Sequence, residues 1–287
     1  MNVSVITDST SYIPRPLRER YRIGVVSLYS ELEGVTYRDD AEDYSGFYAA
    51  LRASGAFPTT SQPSVQDMVD VMQERVSRGD AVVGVFISQL MSGTYSTALL
   101  ARDMVREGHP EATIEIVDGK SNCMELGFAV LAAAQRALEG GGVADVVGAA
   151  EEMTGRTRFL FTPLTLEYLR RGGRIGNASA LLGSLLQIKP ILTVVDGRTD
   201  TFAKVRSVQK AWDMLAQTFA DDIRDNGGLG EVYVHHIDDP EAGGRFAERI
   251  AQVAGRAVEL VPIGPAIGSH VGPGTVAVAY CTNGPIS

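Results

Sequence analysis

Cysteine is scarce in this sequence. Cys123 and Cys281 are the only two among 287 residues, and they form neither a CxxC pair nor a disulfide framework, a usage that suits a reducing compartment. No basic block interrupts a formal net charge of −9, which argues against nucleic acid and anionic membrane surfaces as general partners, although it leaves room for local anion sites. No apolar run is long enough to span a bilayer, and the opening Met1-Asn2-Val3-Ser4-Val5-Ile6-Thr7-Asp8 lacks the basic-then-apolar layout of a secretory signal. No integral membrane segment is expected, and the cytoplasm is the expected location. A Walker-type phosphate loop and a G-x-S-x-G nucleophile turn are also missing. Metal chemistry finds no ligand spacing: His235 and His236 alternate faces on a strand, and neither is spaced to work with His270. The carboxylates Asp39, Asp40, Glu42 and Asp43 have no His or Cys near them in sequence and read as a solvated loop.

What is present points to an α/β protein. A hydrophobic content of 45% over this length suits two domains with a sizeable core. Residues 3–6, 81–87 and 114–117 read as short buried strands, each ending in a polar loop, and the latter two lead directly into helices near 95–106 and 124–138. Such repeats predict a largely parallel sheet flanked by helices. Gly140-Gly141-Gly142 breaks the pattern, and a domain change is placed near Gly155. Residues 1–155 are then an N-terminal α/β domain. Residues 156–287 are a C-terminal α/β domain with a mixed sheet, because 191–195, Asp196-Gly197 and 201–205 read as a hairpin.

Polar groups gather at helix starts. In Pro58-Thr59-Thr60-Ser61-Gln62-Pro63-Ser64, Ser64 and Asp67 have capping-box spacing, and Val65, Met68, Val69, Met72 and Val76 follow with helical period. Hydroxyls at a helix N-terminus meet unpaired N–H groups that favour an anion or polar oxygen; alternatively they cap the helix and fill its turn. Ser92-Gly93 repeats the choice: Gly93 lets a ligand approach the backbone, while Ser92 is either a donor to it or a cap. In parallel sheets ligands gather at the carboxyl ends of strands, where both clusters emerge. Arg170, Arg171 and Arg174 either bind phosphate or a partner, or complement a helix end. In 178–188, Leu181, Leu182, Leu185, Leu186 and Ile188 surround a helix kept thin by Ala178, Ser179, Ala180, Gly183 and Ser184, which fills a core or lines an apolar tunnel. His270 lies among glycines and prolines on what reads as a rigid loop, placed to titrate or to donate a hydrogen bond.

Six motifs occur in order: Ile6-Thr7-Asp8-Ser9-Thr10, Thr60-Ser61-Gln62-Pro63-Ser64, Ser92-Gly93-Thr94-Tyr95, residues 166–176, Lys189-Pro190-Ile191-Leu192, and residues 264–274. With them the sequence resembles the DegV family of bacterial fatty-acid-binding proteins over almost its whole length. The resemblance implies a two-domain α/β protein that holds a long-chain fatty acid between its domains and uses no cofactor. It further implies a lipid-carrier subunit that presents the acid to the ATP-binding subunit of a fatty acid kinase, yielding acyl phosphate for phospholipid metabolism. The family's head-group hydroxyls fall on Thr60 and Ser92, with Gly93 beside them, and its histidine falls on His270. Arg206, in Lys204-Val205-Arg206, matches a basic residue of the head-group region, and Arg206 and Ser61 are further head-group or partner contacts. Ala178, Leu182, Gly183 and Leu186 are the expected tail lining. Gln89-Leu90-Met91 departs from the family's more Ser- and Gly-rich wording before the Ser-Gly pair.

Two other readings compete. One is a stand-alone enzyme acting on a small phosphorylated substrate, with His270 as acid/base and Asp8, Ser92 or Arg206 around it. The other is a regulatory protein whose bound lipid sets its choice of partner. For the carrier, transfer of about fourteen methylenes at ~0.8 kcal/mol each offers roughly 11 kcal/mol before binding costs. Each head-group hydrogen bond adds only about 0.5–1.5 kcal/mol, so the tail dominates affinity and the head group sets depth and orientation. A bulky residue at Gly183 or Ala178 is expected to shorten the accepted chain; unchanged chain-length preference in both variants would count against this segment lining the tail.

Overall fold

The run Ala-Val-Val-Gly-Val-Phe at 81–86 carries no polar side chain on either face, a pattern suited to a strand covered on both sides, and all six residues are buried. The computed structural model describes residues 2–182 and 188–286. In chain order its elements are β1 (Val3–Asp8), α1 (Arg15–Arg20), β2 (Gly24–Val26), β3 (Tyr29–Leu32), β4 (Val35–Arg38), α2 (Ser45–Ala53), β5 (Thr59–Ser61), α3 (Val65–Val76), β6 (Ala81–Phe86), α4 (Thr94–Gly108), β7 (Ile114–Asp118), α5 (Cys123–Leu138) and α6 (Val143–Thr154). They continue with β8 (Thr157–Thr162), α7 (Glu167–Arg171), β9 (Lys189–Val195), β10 (Arg198–Val205), α8 (Val208–Asp225), β11 (Leu229–His236), α9 (Pro240–Ala254), β12 (Glu259–Pro262), α10 (Pro265–Val271) and β13 (Val276–Thr282). Short 3-10 turns occupy Ser9–Ser11 and Gly176–Leu181.

The chain forms two compact units. The first contains Met1–Tyr29, Arg38–Asp40 and Thr60–Thr154; the second contains Ser30–Tyr37, Ala41–Thr59 and Gly155–Ser287. In the first unit β2-β1-β6-β7 form a wholly parallel sheet, with Ile6 opposite Gly24, Val3 opposite Ala81 and Val82 opposite Ile114. Met68, Met72, Ala98 and Ala101 of α3 and α4 pack on Ile6, Val82, Phe86 and Ile114. Helices α5 and α6 also pack against strands of this sheet. Parallel pairing needs such crossover helices, and the strand-loop-helix repeats supply them.

The second unit has a mixed sheet of order β10-β9-β8-β13-β11-β12, in which only β11 and β12 pair in parallel. Its hairpin turns at Asp196 (φ 47°) and Gly197 (φ 78°), the two left-handed residues that a tight two-residue turn requires. Val276, Val278 and Tyr280 of β13 join Leu215, Phe219, Phe246 and Ile250 of α8 and α9 in one core. Side chains alternate along a strand, so Ala277 and Ala279 face the other way, and register puts Phe161 and His235 beside Ala277, with Phe159 and Tyr233 beside Ala279. This second face is aromatic at its flanks and thin along β13. A further small sheet has the order β4-β3-β5.

Several local expectations change. Residues 265–271 form helix α10, because Pro265 stands at the start of the helix, where its fixed φ is tolerated; His270 therefore lies in a helix's last turn, not on a loop. The first part of the expected 178–188 helix is a 3-10 turn ending at Leu181. Asp39 is fully buried, with the Tyr12 hydroxyl donating to its carboxylate at 3.0 Å, so the acidic stretch is not simply a solvated loop. No helix among the described residues is long and apolar enough to cross a membrane.

Asp8 fastens the carboxyl edge of the parallel sheet. One of its oxygens accepts the Ile87 N–H at 2.8 Å, and the other accepts the Thr10 N–H at 2.9 Å and the Thr10 hydroxyl at 2.5 Å. Ser9 adds the end of β2, its hydroxyl accepting the Leu28 N–H at 3.0 Å. Asp8→Ala would leave two buried N–H groups without an acceptor, at about 1–3 kcal/mol each. A fall of that order in unfolding free energy, read from denaturant titration, is expected; a change below about 0.5 kcal/mol would mean the edge does not depend on this carboxylate.

Candidate functional site

Ser64, not the hydroxyls before it, caps α3: its side chain accepts the Asp67 N–H at 3.0 Å. Thr59, Thr60 and Ser61 instead form β5, with Thr60 half-buried and Ser61 exposed. Their chemistry is therefore not spent on the helix end. Beyond β6, the Ser88 carbonyl accepts the N–H groups of Met91 at 2.9 Å and Ser92 at 3.1 Å, and its hydroxyl accepts the Leu90 N–H at 3.1 Å. Gln89 is held by Asp118, whose carboxylate accepts its backbone N–H at 3.2 Å and its side-chain amide at 2.9 Å. The Asn122 amide reaches the Met91 sulfur at 3.2 Å, and the Ser88 N–H donates to the Ser121 carbonyl at 3.0 Å. Gln89-Leu90-Met91 thus makes a defined turn, anchored to the loop after β7.

That turn delivers Ser92 and Gly93 to the start of α4. The Ser92 hydroxyl lies 2.9 Å from that of Thr94 and accepts the Thr94 N–H at 3.3 Å, so it serves the helix start while remaining half-exposed. Gly93 has φ −72°, a conformation any residue adopts. A Cβ there would stand 2.9 Å from both polar atoms of the Gln62 side-chain amide, so the Gln62 side chain lies against Gly93. The segment Thr60-Ser61-Gln62 is therefore next to Ser92-Gly93 within the first unit, and the first turn of a fifteen-residue helix opens beside them. A helix start of this kind favours anionic or polar oxygens.

His270 and Arg206 belong to the second unit. A Cβ on Gly172 would fall 2.2 Å from His270 Nδ1, and one on Gly272 (φ 90°) would fall 2.4 Å from the Tyr168 ring, so glycines let α7 and α10 pack closely. Tyr48, brought from α2, donates to the carbonyls of Ile263 at 2.7 Å and Gly264 at 3.0 Å and fixes the entrance to α10. Burial, with the Arg174 charge nearby, lowers the His270 pKa to about 4. His270 is then a neutral imidazole at pH 7, able to donate or accept. Arg170 and Arg171 both pair with Glu167, at 2.7 and 2.6 Å, and their hydrogen bonds hold that carboxyl near a pKa of about 2. This pairing favours the helix-end role for those two arginines. Arg206 is exposed, just before Ser207, which caps α8 through the Lys210 N–H at 3.2 Å.

Of the expected tail residues, Ala178 is fully buried and Leu182 is 39% exposed, while Gly183 and Leu186 lie outside the described residues. Sequence reasoning did not single out Gln62, Gly172 or Tyr48. Gln62 and Gly172 stand inside motifs already noted, and Tyr48 carried no local signal for its bonds to carbonyls more than 200 positions away. No group of three or more His, Cys, Asp or Glu able to hold a metal ion occurs among the described residues.

Comparison with known proteins places this architecture. Residues 2–283 match a family described as an uncharacterised protein, DegV family. A DegV domain-containing protein of Clostridium acetobutylicum is 45% identical over 282 residues, 98% of each chain. Among solved structures, a DegV family protein from Thermus thermophilus described by its fatty acid binding superposes with a TM-score of 0.88 at 32% identity, covering 98% of this chain and 100% of that one. A stearic-acid-binding protein from Eubacterium ventriosum superposes with a TM-score of 0.86 at 25% identity, covering 97% and 98%.

The histidines set a pH dependence. His235, wholly buried with its Nδ1 3.1 Å from the Val261 carbonyl, also has a pKa lowered to about 4 by burial. Both folded-state values lie below the ordinary 6.5, so the unfolded chain binds more protons between them, and stability present above pH 6.5 is lost as pH falls toward 4. His270→Gln should flatten that loss by on the order of 2 kcal/mol in urea unfolding compared at pH 7 and pH 4.5. Identical pH slopes in the two proteins would show that His270 is not held neutral by the fold.

Proposed function

Because the chain belongs to the DegV family, we propose that it binds one long-chain fatty acid and presents the acid's carboxyl group to a separate ATP-dependent fatty acid kinase, acting in the cytoplasm as a carrier and not as an enzyme. The observation that carries this reading is the approach of the Gln62 side chain, next to Thr60-Ser61 in sequence, to Gly93, which follows Ser92. In this proposal the hydroxyls of Thr60 and Ser92 and the backbone at Gly93 take the carboxyl oxygens, His270 is a further head-group residue, and Ser61 and Arg206 are head-group or partner contacts. The first unit carries the head-group loops and the second accommodates the tail. The thin face along Ala277 and Ala279, flanked by Phe159 and Phe161, supports that division, with Ala178, Leu182, Gly183 and Leu186 as further lining.

Neutral hydroxyls and a neutral imidazole suit the task. They accept a carboxylic acid, a carboxylate or an acyl phosphate without locking any one form in an ion pair. The chain has no phosphate loop of its own, so in this scheme ATP binds to the kinase and a carboxylate oxygen attacks its terminal phosphorus, with ADP leaving. The enzyme reading loses support at His270, because a base of pKa about 4 is poorly matched to proton abstraction near pH 7.

Native mass spectrometry of the purified chain should show a co-purified acyl chain. Thr60→Ala and Ser92→Ala should each weaken fatty acid binding about two- to tenfold with stability little changed, and should lower acyl phosphate formation when the kinase is added. A ligand-free spectrum, with no fatty acid uptake after delipidation, would overturn the carrier reading; unchanged affinity and phosphorylation in both variants would overturn the head-group assignment.

A further inference from the structure

The sheet of the second unit has a recess on its α8–α9 side that the proposed function does not use. Its volume is about 190 Å³, and Leu164, Lys189, Trp212, Asp239 and Arg245 are among its lining residues. Leu164 is 54% exposed, with Gly274 (φ 79°) passing beneath it so closely that a Cβ there would stand 2.3 Å from a Leu164 methyl. Val208 and Val276 add apolar lining. The recess thus joins apolar walls to a small set of polar groups, the usual composition of a small-molecule site.

Those polar groups favour an anion. Lys189 enters no ion pair among the described residues. Arg245 pairs with Glu241 at 2.5 Å, but the two side chains are 56% and 86% exposed, so water competes with that bond and the guanidinium can turn to another acceptor. The one lining carboxylate, Asp239, is engaged in capping α9, where it accepts the Ala242 N–H at 2.9 Å. Trp212, whose ring packs on Phe246 at 5.4 Å, has a buried indole N–H with no partner among the described residues. Two cations thus line the recess beside one carboxylate in a chain whose net charge is −9.

We propose that this recess is a second binding site, for a short-chain organic carboxylate whose oxygens meet Lys189 and Arg245 while its apolar end lies against Leu164, Val208 and the Trp212 ring. An apolar cavity of about 150 Å³ takes up benzene, so a recess of about 190 Å³ suits a ligand of roughly six heavy atoms, the size of butyrate. The site draws on none of Thr60, Ser92, Gly93 or His270, so it stands or falls separately from the carrier reading.

Trp212 is the only tryptophan in the chain, so intrinsic fluorescence reports on this recess directly. The full-length protein, first saturated with a long-chain fatty acid, is titrated with sodium butyrate and, in parallel, with potassium phosphate at matched ionic strength. Butyrate should give a saturable change in emission, with half-saturation raised about tenfold by Lys189→Met, as loss of a charge-assisted hydrogen bond implies, and left unchanged by Ser92→Ala. Arg245→Gln, at an exposed position that folding does not depend on, should weaken it in the same direction. A non-saturating response, or one that neither Lys189→Met nor Arg245→Gln alters, would overturn the site. Saturation by phosphate with none by butyrate would overturn the assignment to an organic acid, and competition from added long-chain acid would overturn its separateness.

Discussion

A single buried carboxylate organises the first unit. Asp8 has no access to solvent, and burial pushes its pKa above the ordinary carboxylate value while the bonds from Ile87 and Thr10 pull it back. Its two oxygens accept from donors on two different stretches of chain, a geometry that no neutral side chain of its size matches. The consequence reaches past the sheet. Ile87 is the last residue before Ser88, and the Ser88 turn sets Met91, Ser92 and Gly93 in order, so the position of the half-exposed Ser92 hydroxyl is inherited from a strand end 80 residues earlier.

The second constraint is the route of the chain. Ser30–Tyr37 and Ala41–Thr59 are counted with the second unit, and Thr60 is the first residue back in the first. On this excursion Tyr48 bonds to the carbonyls at the entrance of α10, Ser30 accepts from Ser269 at 3.2 Å, and Phe57 packs on Tyr168 at 5.4 Å with Arg171 above it. The segment before Thr60 is thus tied to α7 and α10, the elements that carry Gly172 and His270. One stretch of backbone thereby fixes the support of His270 and then supplies the first head-group hydroxyl of the proposed site.

How much of this was legible follows from how local each signal is. The buried strand at 81–86, the hairpin at Asp196-Gly197 and the Ser64 cap rest on neighbouring residues, and the structure has them where the pattern put them. The motif order also pointed to the family that the comparisons identify. Three polar residues at 59–61 could not announce a strand, because alternation needs a longer run than three and the partner is β3, some thirty residues earlier. Glycine and proline at 264–274 suggested a loop, yet Pro265 suits a first helical turn and Tyr48 holds the entrance from more than 200 positions away. Asp39 looked solvated among its acidic neighbours, yet it is buried and accepts from the distant Tyr12 hydroxyl.

Charge placement separates the two kinds of site. The groups proposed to meet the carboxyl are uncharged: hydroxyls at Thr60 and Ser92, a backbone at Gly93, and an imidazole kept neutral by burial and by the Arg174 charge. Arg170 and Arg171 share the single carboxylate of Glu167, which offsets one of their two charges. A fixed cation against the head group would favour the ionised acid over the protonated acid by the Coulomb energy of a desolvated pair, which rises steeply as water is excluded. In the proposed site neutral donors avoid that bias, leaving the apolar tail to set affinity and the hydroxyls to set register. A small carboxylate in the α8–α9 recess has too little apolar surface for that solution. Its binding must come from charge, and that is where an uncommitted lysine stands.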